Sequence, residues 1–401
     1  MEIQTVQIPL LGNSAAVGIA SLLHIAIASL AVAFMLLAPV AEAIGRFCPH
    51  FEELARSMTR FTLVTYTAGL VLAVLMVELF IGFYPITNAW LFNRFRMPIG
   101  IALAAFLLQL LLLYPYYHFW DRIRTWSIRV HVGMGMAAFA LMLVWVGVLD
   151  AIGSFMLTPR MDEGGTRLMN PSCVTLIIHR LFGDLVVAGY AMAGYGAWRL
   201  SCASDTDRFY YAFMARTGMC VGLFALLVQP VTGFAYGYVI EHAAPDAYRE
   251  MLSGRYQPLL YGQTACVALL FAGSALWIRL THGLPAAGIL HWAFLAVAVL
   301  TVGFADAPGW RRAWTALLVL GTLWQLLKEG TPLSAGMDTI GEKEARWTAA
   351  ALALLALGTY LTMGIMRESL RHPYTVHHVI VLTDGTETVA GAGEHATGGG
   401  Q

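Results

Sequence analysis

An all-α bundle of transmembrane helices is the fold this sequence predicts, and three observations predict it. The chain of 401 residues is 58% hydrophobic and only 12% charged, where soluble domains carry about 25% charged residues. Its mean hydropathy is +0.67. Apolar runs long enough to cross a bilayer recur along almost its whole length. Lipid offers no partner to backbone N–H and C=O groups, so runs of this length must close their hydrogen bonds internally as helices.

Taken in order, the spans fall at 15–44, 60–83, 97–117, 129–157, 173–199, 215–238, 258–279, 287–305, 312–327 and 346–366. The run 312–327 is short and interrupted, so the expectation is a bundle of nine or ten helices occupying residues 1–370. The start, MEIQTVQIPLLG, has no basic stretch, so the first run is expected to stay in the membrane and not to be cleaved as a signal peptide. Loops after the first, third and fifth spans carry nine arginines, against six after the second, fourth and sixth. That bias places the N-terminus outside, and His24 and His179 then lie toward the same outer face. A tail, 371–401, follows; HHVIVLTDGTETVAG alternates apolar residues around a D-G turn and predicts a small hairpin. The terminal GAGEHATGGGQ is expected to be disordered. His372, His377 and His378 in this tail are expected to be solvated, not metal-bound.

Composition excludes several functions. Zero formal net charge argues against a nucleic-acid partner. Cys48, Cys173, Cys202, Cys220 and Cys266 form no C-x-x-C pair, which removes zinc ribbons, iron–sulfur ladders and covalent c-type haem. No phosphate loop, nucleophile elbow or H-E-x-x-H occurs. No inverted repeat of broken helices suggests a transporter.

The fifth span carries the most unusual chemistry. Inside PSCVTLIIHRLFGDLVVAGYAMAGYGAWRL lie His179, Arg180 and Asp184. A charge at the centre of such a helix costs roughly 2.5–3.5 kcal/mol, so these groups need partners or a role. Gly183, Gly189, Gly194 and Gly196 allow something flat or bulky to approach. A histidine beside that surface suits a haem iron, or equally a hydrogen bond to a neighbouring helix. His131, in VHVGMGM, offers a further axial ligand or a ring paired with water or backbone, and His291 offers the same two choices. His118, in YPYYHFWDR, reads as interfacial beside Tyr116, Tyr117 and Trp120. Glu78, at the outer end of its helix, can anchor Arg94 or Arg96, conduct protons or neighbour a haem propionate.

Read together, these segments resemble subunit I of the cytochrome bd quinol oxidases over residues 15–265. The resemblance rests on His24 in HIAIASLAVAFMLLAPVAEA, Glu78 and Gly82 in VELFIG, and Trp120-Asp121-Arg122. Trp145, Met156, Thr158 and Pro159 extend it, followed by Asn170, Pro171, His179, Gly189 and Tyr190, and then Gly233, Gly237 and Tyr238. The resemblance implies haem b, one or more, with His24 and His179 as ligands; a chlorin-type haem d is left open. It implies quinol as substrate, a second membrane subunit similar to the family's subunit II or another redox subunit, and a bacterial inner membrane. Departures are equally specific. The family's two third-helix glutamates fall on Ile101 and Gln109, and the methionine of the low-spin haem falls near Ala265, where Pro258–Leu280 contains none. The G-R-Q-P-W motif is reduced to an echo, GWRRAW. The quinol loop is shortened to about 239–257, where Glu241, His242, Tyr248, Arg249 and Glu250 stand as local substitutes.

The expected function is therefore a haem-b subunit oxidising quinol and passing electrons to oxygen or another acceptor, with His24, His179 and His131 toward haem, Glu78 and Gln109 toward proton chemistry, and Glu241, Tyr248 and Arg249 toward quinol. The alternatives are a relay between the quinone pool and a periplasmic or membrane redox partner, and a cofactor-free scaffold.

Overall fold

The computed structural model describes residues 12–160, 168–286, 288–383 and 386–390. Its helices are α1 Asn13–Gly45, α2 Pro49–Phe83, α3 Pro85–His118, α4 Trp120–Trp126, α5 Ile128–Leu157, α6 Cys173–Leu200 and α7 Asp205–Ala243. They continue as α8 Pro245–Ser253, α9 Gln257–Thr281, α10 Ile289–Gly303, α11 Pro308–Glu329, α12 Met337–Ile340 and α13 Lys343–Ser369. Eight of them, α1, α2, α3, α5, α6, α7, α9 and α13, are long and apolar enough to cross a membrane among the described residues. The last two expected spans before α13 become α10, an apolar helix of 15 residues, and α11.

Helix ends follow local chemistry. Pro49 opens α2 with Glu52 in its first turn, a residue without N–H where none is needed and a negative charge at the positive end of the dipole. Ser127 caps α5 by accepting from the amide of Val130. Helix α3 is kinked at Phe95 (φ −109°, ψ 18°), three residues before Pro98, whose ring disfavours helical backbone before it.

Two packed halves share α6 and α7. One buries Val32, Met35, Leu54, Tyr116, Trp120 and Met142 between α1, α2, α3, α4 and α5. The other buries Leu226, Phe271, Trp277, Phe294, Leu318 and Leu352 between α7, α9, α10, α11 and α13. The joint between α6 and α7 is made by glycines. A Cβ on Gly189 would sit 2.2 Å from the Gly222 amide nitrogen, and one on Gly218 would sit 2.5 Å from that of Ala193. The glycine face of α6 is thus spent mainly on helix packing; of its four glycines, Gly183 lines a cavity, where a Cβ would meet Gln229 Nε2 at 3.0 Å.

The tail forms a three-stranded antiparallel sheet, β1 Tyr374–Val376, β2 Ile380–Thr383 and β3 Thr386–Val389. The expected hairpin is β2–β3, its D-G turn lying outside the described residues along with the terminal GAGEHATGGG run. The sheet is docked, not loose. Buried Glu387 accepts from the amides of Ile86 and Thr87 at 2.8 and 3.2 Å, capping the orphan N–H groups that open α3. His377 is buried as well, contrary to the solvated state expected, and its amide donates to Met156 O at 2.9 Å. Burial lowers the affinity of the His377 ring for a proton, against the pull of Asp246.

Candidate functional site

His179 stands two turns into α6, and the entry to that helix is fixed by a polar knot. Asn170 donates to Ala151 O and Ser154 Oγ at 3.0 and 2.7 Å, and Thr158 and Ser172 share a hydrogen bond of 2.6 Å. This ties the end of α5 to the start of α6. His179 then faces α7, where its Nδ1 lies 3.2 Å from Thr232 Oγ1. That hydroxyl donates to Gln229, so it accepts from an Nδ1–H, and Nε2 is bare, with no hydrogen-bond partner among the described residues. A Cβ at Gly233 would meet the ring at 3.0 Å, so a larger residue there would press the ring to move. Tyr236 lies nearly parallel to it, centroids 5.9 Å apart.

The ring borders a cavity of about 270 Å³, close to the lower end of ordinary ligand pockets, about 300 Å³. Its walls come from α1, α5, α6, α7, α8, α9, α10, α11 and α13. Most are apolar, but Arg180, Arg311, Arg312 and Arg367 also reach it. Arg180 is ion-paired with Asp150, and Tyr360 donates to Asp184 at 2.7 Å. The polar groups of the fifth span therefore have their partners, on α5 and α13. Gln263 and Met363 line the same space, and the Gln263 amide lies 3.3 Å from the Met363 sulfur.

His24 lies outside that wall, although its neighbours Leu22 and Ile25 belong to it. It turns toward α2, its Nδ1 2.9 Å from Gly69 O. A carbonyl only accepts, so Nδ1 carries the proton and Nε2 is again bare, the tautomer of a metal-binding histidine. One helical turn away on α2, Tyr66 donates to Gln109 Oε1 at 3.0 Å, and Trp145 donates to the same oxygen at 2.6 Å. Gln109 is fully buried and its Nε2 has no partner among the described residues. Ile101, at the other expected carboxylate position, points outward with 55% exposure.

His131 is committed elsewhere. Its Nδ1 is 2.6 Å from Glu42 Oε1 and its Nε2 is 2.9 Å from Tyr116 O, while Tyr116 donates to Glu42 Oε2 at 2.9 Å. Both ring nitrogens are used, so this ring has no atom left for iron. Tyr116 and Trp120, expected at the interface with His118, are buried against His131 instead. His118 is exposed beside Tyr114 and Tyr117. Glu78 is exposed and makes no ion pair among the described residues; Arg94 instead reaches Arg160 O and lies over Trp90 and Phe155. Of the quinol-loop candidates, Tyr248 is buried in the cavity wall on α8. Glu241 is half-buried at the end of α7, and Arg249 is exposed, donating to Pro245 O at 3.3 Å. Met363, Glu42 and Asp150 had no place among the expected site residues.

A model of the cytochrome bd terminal oxidase subunit I family matches residues 15–251. No curated protein matches the chain. Among solved structures, the bd oxidase of Geobacillus thermodenitrificans superposes with a TM-score of 0.60, at 16% identity, over 90% of this chain and 87% of that one. The match along more than half the sequence, from the helix of His24 to the helix of Tyr248, and the shared fold agree: this chain is a membrane protein of the cytochrome bd terminal oxidase subunit I family.

Proposed function

We propose that the chain is a haem-b electron-transfer subunit that takes electrons from quinol. The observation that carries the reading is His179: a bare Nε2, a ring locked by Thr232 and Gly233, and a mostly apolar cavity beside it. These residues fit a haem. The imidazole supplies an axial ligand whose other nitrogen is hydrogen-bonded, as ligating histidines require. Arg311, Arg312 and Arg367 offer charge for propionates. Met363 is our candidate for the second axial position, replacing from α13 the methionine that α9 lacks. His24, with Gln109, Tyr66 and Trp145 around its layer, is the candidate for a second haem. When bound, haem supplies a one-electron couple between quinol and the acceptor. Tyr248 places α8, the remnant of the quinol loop, against the same cavity, which supports quinol binding there.

The acceptor we favour is a redox partner, with a second membrane subunit beside this one. Gln109 accepts hydrogen bonds as a carboxylate would but cannot carry a proton as one does. One observation favours oxygen: Glu42, His131 and Tyr116 make a buried ionisable chain in the bundle, which a proton-consuming oxidase needs. Oxygen uptake with added quinol, measured with co-purified partners, separates the two. The relay predicts quinol-dependent haem reduction without oxygen consumption; rapid uptake would make the chain an oxidase. His24→Ala and His179→Ala should each lower the haem content, and unchanged haem in both would overturn the ligand assignment.

A further inference from the structure

A second group of ligand-bearing side chains lies away from the haem cavity's histidine, where the tail sheet meets α8. Asp246, at the start of α8, faces His377 and His378 from the turn between β1 and β2. His377 Nε2 is 3.3 Å from Asp246 Oδ1, and His378 Nε2 is 3.1 Å from Oδ2. One ligand atom from each of the three residues lies within 4.8 Å of the others. We propose that these three residues bind a divalent transition-metal cation, zinc by donor type, which fastens the C-terminal sheet to α8.

Three observations support this. Charge-assisted N–H···O bonds are about 2.7–2.9 Å long, shorter than either contact here. Ligand atoms held tetrahedrally at zinc distances of about 2.0–2.2 Å stand about 3.3 Å from one another; here each imidazole Nε2 lies 3.3 or 3.1 Å from an Asp246 oxygen, and the set lies within 4.8 Å. Second, the His377 ring is 4% exposed, its Nδ1 has no partner, and its one hydrogen-bond contact among the described residues is the long one to Asp246. A polar ring buried with so little compensation is costly, and a cation bound at Nε2 replaces its one long contact with a ligand bond. Third, the donors suit the ion: two imidazoles and a carboxylate are a three-ligand zinc set with the fourth position left to water. His378 is 61% exposed in its side chain and Asp246 44%, so the ion has a path in from solvent. The three ligands come from segments separated by 131 and 132 positions, so metal binding would close a long loop at the same end of the fold where Glu387 caps α3.

The test uses the full chain in detergent, stripped with a chelator, equilibrated with one equivalent of zinc chloride and desalted. Metal is counted by mass spectrometry, and protease cleavage between Leu370 and Tyr374 is followed with and without zinc. The wild type should retain about one zinc per chain and show slower cleavage when zinc is present. Asp246→Asn and His378→Asn should weaken zinc binding by more than the 10–100-fold typical of losing an outer-shell partner. Asparagine is used at 378 because the backbone there has φ +54°, a conformation asparagine tolerates. Both variants alter half-exposed side chains, and an elution profile and a zinc-free melting midpoint equal to those of the wild type check that the bundle is intact. Zinc retained equally by the variants, or not retained by the wild type, overturns the site. Neither result depends on the haem reading.

Discussion

The chemistry of this chain turns on which ring nitrogens are already spoken for. His24, His131 and His179 all sit in apolar helices, yet only His131 has both nitrogens bonded within the protein. His131→Ala should leave the visible haem spectrum unchanged while removing one of the partners of a fully buried Glu42, the one at Oε1 2.6 Å away. Breaking a buried pair in this way costs about 3–5 kcal/mol, read as a lower midpoint in thermal unfolding. If haem were lost while stability held, His131 would be a ligand after all. At His179 the controlling neighbours are Thr232 and Gly233. Thr232→Val removes the Nδ1 hydrogen bond and should reduce haem affinity by about 10–100-fold, measured by haem titration of stripped protein. Gly233→Ala puts a methyl 3.0 Å from the ring and should shift the haem band by turning the imidazole. Both residues act on the ligand, so an unchanged spectrum in both would dissociate them from haem binding. His179 and His24 could be marked from sequence as polar groups in apolar runs. Glu42 and Asp150 carried the same signal, a carboxylate within an apolar span, but no family motif drew attention to them.

At the scale of elements, helix positions were legible and helix partners were not. The runs 15–44, 173–199 and 258–279 became Asn13–Gly45, Cys173–Leu200 and Gln257–Thr281, because hydropathy alone bounds a helix that ends at the membrane surface. The run 60–83 became Pro49–Phe83; its first turns are polar and project beyond the apolar stretch, so hydropathy starts it late. Nothing in the local pattern of α9 could show that Gln263 meets Met363 of α13, because that contact is made across the bundle. The α6–α7 joint holds His179 on one helix against Thr232 and Gly233 on the other, at the cavity wall. Gly189→Leu should force the helices apart, with an overpacking cost of about 1–3 kcal/mol and loss of haem together, seen as a lowered melting midpoint. Gly237→Ala is a control on the same helix, since a Cβ there meets nothing within 4 Å. Equal stability of Gly189→Leu and Gly237→Ala would mean that the close crossing is not what holds the site.

Across the whole molecule, apolar surface points to what surrounds it. Only 11% of the most apolar window of α2 and 22% of that of α3 is buried in the chain. Lipid or a partner subunit must cover Val71, Val74 and Leu75 on one and Leu103, Leu107 and Leu111 on the other. Glu78 lies on the exposed stripe of α2, so a partner that supplies a cation there is more favourable than lipid alone. Membrane fold and family follow from composition and from motifs in order; the acceptor does not, because Ile101 and Gln109 stand where the resemblance expects carboxylates. The proposed electron transfer requires haem in the cavity beside His179. The most direct measurement is a reduced-minus-oxidised visible spectrum of the purified protein, with haem quantified as the pyridine haemochrome. A near-stoichiometric haem b signal that disappears in His179→Ala is the expected result. A protein purified without haem, and unable to take it up when haem is added, would contradict the account and leave a bd-like scaffold.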